Sequence, residues 1–415
     1  VTPSSTGDPL AAVPRPAERR LALRVTRDAQ RVVRGGHPWL FDRGITDLRG
    51  EGAPGDLAVI FDDRRRFLAI GLYDPTSPIR VRVLQHGEPT TIDRSFLHDR
   101  LAKAADWRAG LPGTGTTGYR VVNGENDGLP GLVIDRYDAT LVLKIYTLAW
   151  LPWLADLRAA LDAVMPARSV VLRLSRDVGR RTELLYGLTD GVTLSGETPE
   201  GSVRFTENGL RFEADVVHGQ KTGFYLDQRE NRARVEHLAS GRRTLNAFAY
   251  TGGFSLYAAR GGAPEIVSLD ASSAALAAAE RNFALNRDIP AVAAARHSVL
   301  VADAFAALAD LRRDGNRFEM VVVDPPALAV QESQIAVALR AYERLVGLAL
   351  GVLAPGGVLV AASCSARIGA DTFFEAVHRA AGRPLTELER TGHPLDHPVR
   401  FPEGAYLKCL FARAA

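Results

Sequence analysis

Apolar residues along this chain change their spacing twice. From Leu21 to about Gln85 they fall in short runs, "LAVIFDD", "FLAIGLYD" and "IRVRVLQ", rich in β-branched and aromatic residues and separated by Asp, Pro, Arg and Gly. Such runs predict strands, and together a compact β barrel or sandwich. From about Thr91 to Glu200 the spacing is mixed. "LVIDRY" and "TLVLKIY" predict a hairpin pair, "LPWLADLRAALDAVM" an amphipathic helix, and "SVVLRLS" and "TELLYG" two further strands.

The third pattern begins at "VRFTENGLRFEAD", where Asn208-Gly209 between alternating runs predicts a hairpin turn. Beyond it, strands are expected in "RTLNAF", "EIVSLD", "MVVVDPP" and "GGVLVAAS". Helices are expected in "GGFSLYAARGG", "SSAALAAAERNFALN" and "QIAVALRAYERLVGLALGVLA". Near-continuous apolar strands joined by helical crossovers predict an α/β fold, a parallel sheet covered on both faces. No internal repeat or heptad array interrupts it.

Composition narrows the classes. At 415 residues two or three domains are expected. Two cysteines allow neither a disulfide framework nor a four-thiolate metal site, so the expected compartment is the cytoplasm. No apolar run is long enough to cross a bilayer. Residues 1–20, "VTPSSTGDPLAAVPRPAERR", lack the apolar segment of a secretory signal and predict a disordered tail. A net charge of +3 is compatible with nucleic-acid binding without requiring it. Candidates for a nucleic-acid contact are Arg31, Arg34, His37 and Trp39, then Arg64, Arg65 and Arg66, then Arg180 and Arg181.

Ligands of doubly wound sheets sit at the carboxyl ends of the strands. The first strand end is "LNAFAYTGGFS", where Gly252 and Gly253 let backbone approach a ligand near a helix N-terminus, or simply make a tight turn. The second ends in Asp270, an acid placed to accept from ribose hydroxyls. Asp303 in "VADAF" is an acid that could equally cap a helix. Asp324 in "VVVDPP" is followed by two prolines that force a stiff, extended exit. Last comes Cys364 in "AASCSA", whose neighbours Ala362, Ser363 and Ser365 are small and leave room beside it. Cys409, inside the apolar "YLKCLF", reads as core.

In that order these features resemble a class I S-adenosylmethionine-dependent methyltransferase. "HPWLF" (37–41), "YRVVNGENDGLPGLVIDRY" (119–137), "GQKTGFYLDQRENR" (219–232) and "DHPVRFPEGAYLKCL" (396–410) sharpen the resemblance. They are similar to signatures of the bacterial 23S ribosomal RNA large-subunit cytosine-5 methyltransferases that carry an N-terminal PUA domain. The resemblance implies a PUA-like RNA-binding domain over 21–90, a small α+β domain over 91–200 and a Rossmann-like methyltransferase domain over 201–415. It implies ribosomal RNA as partner and S-adenosyl-L-methionine as cofactor, with no membrane and no metal. A homodimer is left open.

Residue by residue, the resemblance puts Phe248, Tyr250, Thr251 and Gly252 at the methionine end of the cofactor. Asp270 would hold the ribose and Asp303 face the adenine. Lys221, Thr222, Gly223, Phe224 and Gln228 belong to a family motif near cofactor and substrate, and Asp324 joins the cofactor-binding set. The family commonly has an aromatic or charged residue soon after Asp-Pro-Pro; here Ala327 and Leu328 follow, which puts the stacking of the base in question.

The chemistry accounts for a strand-end cysteine. C5 of cytosine is a poor nucleophile. Addition of a thiolate to C6 makes C5 carbanion-like, and elimination after methylation restores the ring. Cys364 and Asp324 are therefore the expected catalytic pair, Asp324 at the N3/N4 edge of the base. Three other readings share parts of the pattern. Amino-methyltransferases with an N/D-P-P-Y loop need no cysteine, but position 327 is Ala where they carry an aromatic. A non-catalytic ribosome-assembly protein would not need acids at three strand ends. A nicotinamide dehydrogenase would show GxGxxG.

Overall fold

The computed structural model describes residues 7–329, 331–382 and 384–414, which divide into two compact units. The N-terminal unit comprises 1–209, 214–226 and 395–401, and the second comprises 210–213, 227–394 and 402–415. Among the described residues no helix is long and apolar enough to cross a membrane.

The N-terminal unit begins with strands β1 (Arg20–Val25), β2 (Trp39–Phe41), β3 (Ile45–Arg49), β4 (Leu57–Phe61), β5 (Phe67–Tyr73) and β6 (Ile79–His86). They form one mixed sheet in the order β2-β6-β5-β4-β1-β3. A second sheet holds β7 (Gly118–Asn123), β8 (Leu132–Tyr137), β9 (Thr140–Ile145), β10 (Ser169–Leu174) and β11 (Thr193–Gly196), in the order β11-β10-β9-β8-β7. The expected β8–β9 hairpin is present, Tyr137 opposite Thr140. "TELLYG" is not a strand: Thr182–Leu184 is a 3₁₀ turn, and Tyr186 and Gly187 take left-handed φ of 52° and 84° that end any extended run. "TLSG" (β11) pairs with β10 instead. One apolar cluster joins Leu57, Ile70, Leu72 and Leu84 of the first sheet to Trp150, Trp153 and Leu157 of the next segment, so the first two sequence blocks share a core.

The tail does not stay loose. Residues 1–6 lie outside the described residues, but Leu10 is 5% exposed in that same core. Asp8 takes two hydrogen bonds from Arg158, at 2.8 and 3.0 Å. An apolar anchor and a bidentate ion pair outweigh the entropy of a short segment that composition alone marks as disordered.

Residues 395–401 complete this unit. Trp107 Nε1 donates to Leu395 O (3.1 Å), Arg108 to Asp396 O (2.9 Å), Asn123 Nδ2 to Pro398 O (3.0 Å), and Arg400 N to Asn126 Oδ1 (2.7 Å). The Asp396 carboxylate accepts from Arg120 N (2.9 Å).

Strands β12 (Val203–Glu207) and β13 (Leu210–Ala214) form the expected hairpin, Asn208 and Gly209 turning at φ 48° and 79°. The second unit then carries β14 (Thr244–Ala247), β15 (Glu265–Asp270), β16 (Arg296–Val301), β17 (Phe318–Val323), β18 (Leu353–Ser363), β19 (Leu385–Thr391) and β20 (Lys408–Ala414). Their order is β16-β15-β14-β17-β18-β20-β19. The five strands β16 to β18 in this order are parallel, but β20 runs antiparallel to both β18 and β19, so the sheet is mixed and not wholly parallel. Met320, Val321 and Val322 of β17 are fully buried, as a strand covered on both faces requires. The chain leaves β14 toward β15 on one side and returns to β17 on the other. That reversal opens the crevice at the carboxyl ends where such folds bind ligands.

Candidate active site

Strand register brings the sequence candidates of the second unit to one edge. Ala247 of β14 lies opposite Leu269 of β15 and Val323 of β17, and Val323 lies opposite Ala361 of β18. The residues that follow, Phe248, Asp270, Asp324 and the Ala362–Cys364 run, all emerge at that edge.

The loop after β14 is built under strain. Phe248 and Tyr250 hold left-handed φ of 62° and 47° although neither is glycine, and Gly252 follows at 76°. Such backbone costs on the order of 1–3 kcal/mol per non-glycine residue and persists only where surroundings enforce it. Asp270 is the enforcer: Oδ2 accepts from Tyr250 N (2.9 Å) and Oδ1 from Ser272 N (2.9 Å). Gly252 is required twice over, because of its φ and because a Cβ there would lie 2.7 Å from Ala279 Cβ. Thr251 is 7% exposed, and its Oγ1 is buried with no partner among the described residues. A buried orphan hydroxyl beside a strained, glycine-ended loop is what a cofactor-holding segment should show. Asp303 does cap a helix, Oδ1 accepting from Ala306 N (3.0 Å) at the start of Ala304–Arg313, and it stays exposed.

Asp324 is half-buried and accepts from Gln228 Nε2 (2.9 Å). Gln228 is in turn held by Asn231 Nδ2 (2.6 Å), and Asn231 Oδ1 accepts from Thr391 Oγ1 (2.5 Å). Gln228 therefore points at the Asp-Pro-Pro turn. Lys221, Thr222, Gly223 and Phe224 of its motif belong to the N-terminal unit, where they make local contacts. Thr222 donates to Asp135 Oδ2 (2.5 Å), and Phe224 stacks edge-on against Phe205 (5.1 Å). Lys221 sits at φ 54° with its ammonium over the Tyr225 ring, and Gly223 at φ 130°.

Cys364 is half-buried, its sulfur 4.0 Å from Pro325 O. Its serine neighbours do not line an open space. Ser363 and Ser365 are fully buried, and both hydroxyls meet Tyr342 OH, at 2.9 and 3.1 Å. Ser365 Oγ also accepts from Leu328 N (3.1 Å), which ties the loop after Asp-Pro-Pro to the turn that carries the sulfur. Beneath this turn Lys408 Nζ donates to Ser365 O (2.5 Å), Ile368 O (2.6 Å) and Tyr406 O (3.2 Å). Burial lowers the Lys408 ammonium to a pKa of about 8, while the charge of Cys364 pulls it upward. Cys409 is fully buried, which pushes its thiol well above the ordinary range, as a core cysteine should be.

Tyr342 and Lys408 were not singled out by sequence reasoning. Nothing local marks Tyr342, eight residues into a long apolar helix. Lys408 had a signal, a lone ammonium opening an apolar strand. The RNA candidates fare unevenly. Arg34 and Arg66 are paired to fully buried Asp62, Arg181 donates to Thr76 O (2.9 Å), and Trp39 Nε1 to Glu125 (2.8 Å).

An open, mostly parallel sheet with a strained glycine loop and acids along its carboxyl edge defines a Rossmann-like transferase fold. Residues 154–413 match the S-adenosylmethionine-dependent methyltransferase family and residues 23–86 a PUA-like domain. The chain belongs to that methyltransferase family and depends on S-adenosylmethionine. It is 50% identical over 96% of its length, and 99% of the relative's, to a protein of Deinococcus radiodurans named ribosomal RNA large subunit methyltransferase. It is 40% identical, over 91% of this chain and 95% of the relative, to ribosomal RNA large subunit methyltransferase I of Aeromonas salmonicida. Among solved structures, a Streptococcus mutans chain covered in full superposes on 95% of this one with TM-score 0.80 and 22% identity. A methyltransferase solved with SAH does so with TM-score 0.81. These two share the fold.

Proposed function

We propose that this protein methylates C5 of a cytosine in the 23S RNA of the large ribosomal subunit, through a covalent bond between Cys364 and C6. The names of its relatives support the RNA; the cysteine supports the atom. The observation that carries the reading is the clamp of Ser365 on Leu328, which holds the Cys364 turn beside the Asp-Pro-Pro exit. A flat base entering there meets a thiol and a carboxylate together.

Phe248, Tyr250, Thr251 and Gly252 would hold the methionine end of the cofactor, Asp270 the ribose, and Asp303 the adenine. Gln228 would act through Asp324, and Lys221 to Phe224 through the shape of their loop. Bound S-adenosylmethionine supplies an electrophilic methyl group. Cys364 adds to C6 as the thiolate, forming the S–C6 bond and moving the C5–C6 electron pair onto C5. Asp324 at the N3/N4 edge shares a proton with the ring as charge develops there. After C5 carries the methyl group, a carboxylate or a water takes the C5 proton, the C–H pair re-forms the C5–C6 double bond, and the S–C6 bond breaks to return the thiolate. Lys408 supports this cycle, because an ammonium anchored on the Ser365 carbonyl favours the charged sulfur next to it.

Ribosomal RNA containing 5-fluorocytosine tests the reading, since the fluorine cannot leave as a proton does. Wild type and Cys409→Ala should give a covalent protein–RNA band on a denaturing gel, and Cys364→Ala none. Turnover of Cys364→Ala should fall at least about 10³-fold. Normal turnover in that variant would hand the reaction to an exocyclic amine.

A further inference from the structure

The N-terminal unit contains a cavity of about 370 Å³ that the catalytic reading does not use. Its walls come from β6, from the helix Arg94–Trp107, from the turn Glu125–Gly128 and from Arg400 and Phe401. The volume lies in the range of sites that hold one small ligand.

The charge of the walls is one-sided. Both carboxylates are already taken. Glu125 Oε1 accepts from Trp39 Nε1 (2.8 Å) and Arg82 (3.2 Å), and Asp127 is gripped by Arg108 at 2.9 and 2.7 Å. The cations are not. Arg100 donates to Gln85 Oε1 (2.7 Å) and Leu84 O (3.3 Å), groups that leave its charge uncompensated. Lys103 is exposed. Arg400 lies over the Trp107 ring at 6.0 Å. Among the described residues none of these three has a carboxylate partner, in a chain where most buried arginines do. Desolvation already lowers the Arg100 pKa, so an anion would relieve a cost the fold carries alone.

The cavity also has a flat apolar wall. Trp107 is 51% exposed, yet its indole is fixed by the hydrogen bond to Leu395 O (3.1 Å). A large exposed ring held rigid is unusual on a surface and suits stacking. Phe401 stands beside it, braced edge-on by Trp39 at 5.2 Å.

We infer that this cavity binds one unstacked nucleotide of the substrate RNA, other than the methylated one. The base stacks on Trp107 while Arg100, Lys103 and Arg400 hold its phosphates. The inference rests on the reading of RNA as substrate. Cations alone would fit a free phosphate, and an aromatic alone a peptide; the pair, with the acids neutralised, fits a nucleotide in a strand.

The test measures binding of the full-length protein to a 23S RNA fragment by fluorescence anisotropy across a salt series. Trp107→Ala should weaken binding about 5- to 100-fold, the range for losing one base stack. Lys103→Gln with Arg400→Gln should lower the salt slope by about one to two, one phosphate contact for each charge. Affinity for S-adenosylmethionine should not change in either. Wild-type affinity and slope in both folded variants would overturn the inference and leave the cytosine reading standing. Wild type that ignores the RNA fragment would overturn the RNA reading and this inference with it. Loss of the fluorocytosine adduct only in Cys364→Ala tests the chemistry independently. Adenosine monophosphate binding as tightly as the RNA, and lost in Trp107→Ala, would reassign the cavity to a free nucleotide and overturn the strand assignment.

Discussion

In the N-terminal unit, buried arginines close onto carboxylates. Arg108 grips Asp127, Arg120 grips Asp135 at 2.8 and 3.0 Å, and Arg173 meets Asp190 at 3.0 Å. In the catalytic sheet one buried polar chain, across β14 and β15, is neutral, while the buried Lys408 ammonium rests on carbonyls. Asn246 Nδ2 donates to Ser255 Oγ (2.9 Å), which meets Ser268 Oγ (2.7 Å), which meets His297 Nε2 (2.9 Å). Among the described residues the carboxylates Asp270 and Asp303 are met only by backbone N–H groups at the edge. Paired charges fix a geometry and are then spent. A neutral chain beneath β14 and β15 leaves the field at that part of the edge to Asp270 and Asp303. The N-terminal unit commits these charges to ion pairs; the catalytic sheet holds the Lys408 ammonium on neutral carbonyls.

Four measurements would sharpen or break this contrast. The largest effect should come from Arg108→Met, which leaves the Asp127 carboxylate, 5% exposed, with the Asn123 amide but no cation. Urea unfolding followed by tryptophan fluorescence should lose about 3–5 kcal/mol, and a double variant with Asp127→Leu should recover much of it. A loss under about 1 kcal/mol would mean the pair is not structural.

Next is His297, stacked on Phe283 at 3.7 Å and held neutral by burial to a pKa of about 4. As pH falls from 6.5 toward 4, the unfolded chain takes up this proton before the folded one. Stability present above pH 6.5 is therefore lost across that window, by about 2–3 kcal/mol. His297→Gln should flatten this part of the pH–stability curve. An unchanged curve would remove His297 from the account.

Asp270→Asn keeps an acceptor for the Tyr250 amide while removing the charge. Calorimetry should show S-adenosylmethionine affinity weaker by about 1–3 kcal/mol with the fold intact. Equal affinity would mean that the acid only shapes the loop. Smallest is Lys408→Met, which should raise the pH midpoint for iodoacetamide alkylation of Cys364 by about one unit. Buried Cys409 should stay unreactive in both proteins. No shift would confine Lys408 to holding carbonyls.

The parts legible in sequence were those whose signal is local. "MVVV" reads as a doubly covered strand because its burial needs no partner to be recognised, and the acids at strand ends follow from where such sheets bind. The edge strand β16, "RHSVLV", carries no such signal, because an edge mixes polar with apolar residues. The antiparallel β20 could not be told from a parallel strand by composition. The roles of Ser363 and Ser365 were misread: small residues suggested space, but a hydroxyl on a distant helix claims both. "TELLYG" has the composition of a strand, but Tyr186 at φ 52° turns it.

Residues 395–401 lie between two strands of the catalytic sheet, yet they complete the other unit, with Asp396 serving both Arg108 and Arg120. During synthesis, then, the first unit to emerge is not the first that can finish. From the time residue 226 leaves the ribosome until residue 401 does, its core waits with Arg108 and the Arg120 amide short of their acceptors. At ordinary translation speed that wait is roughly ten to thirty seconds. A domain that reads as N-terminal along the gene is, in time, among the last parts of the molecule to close.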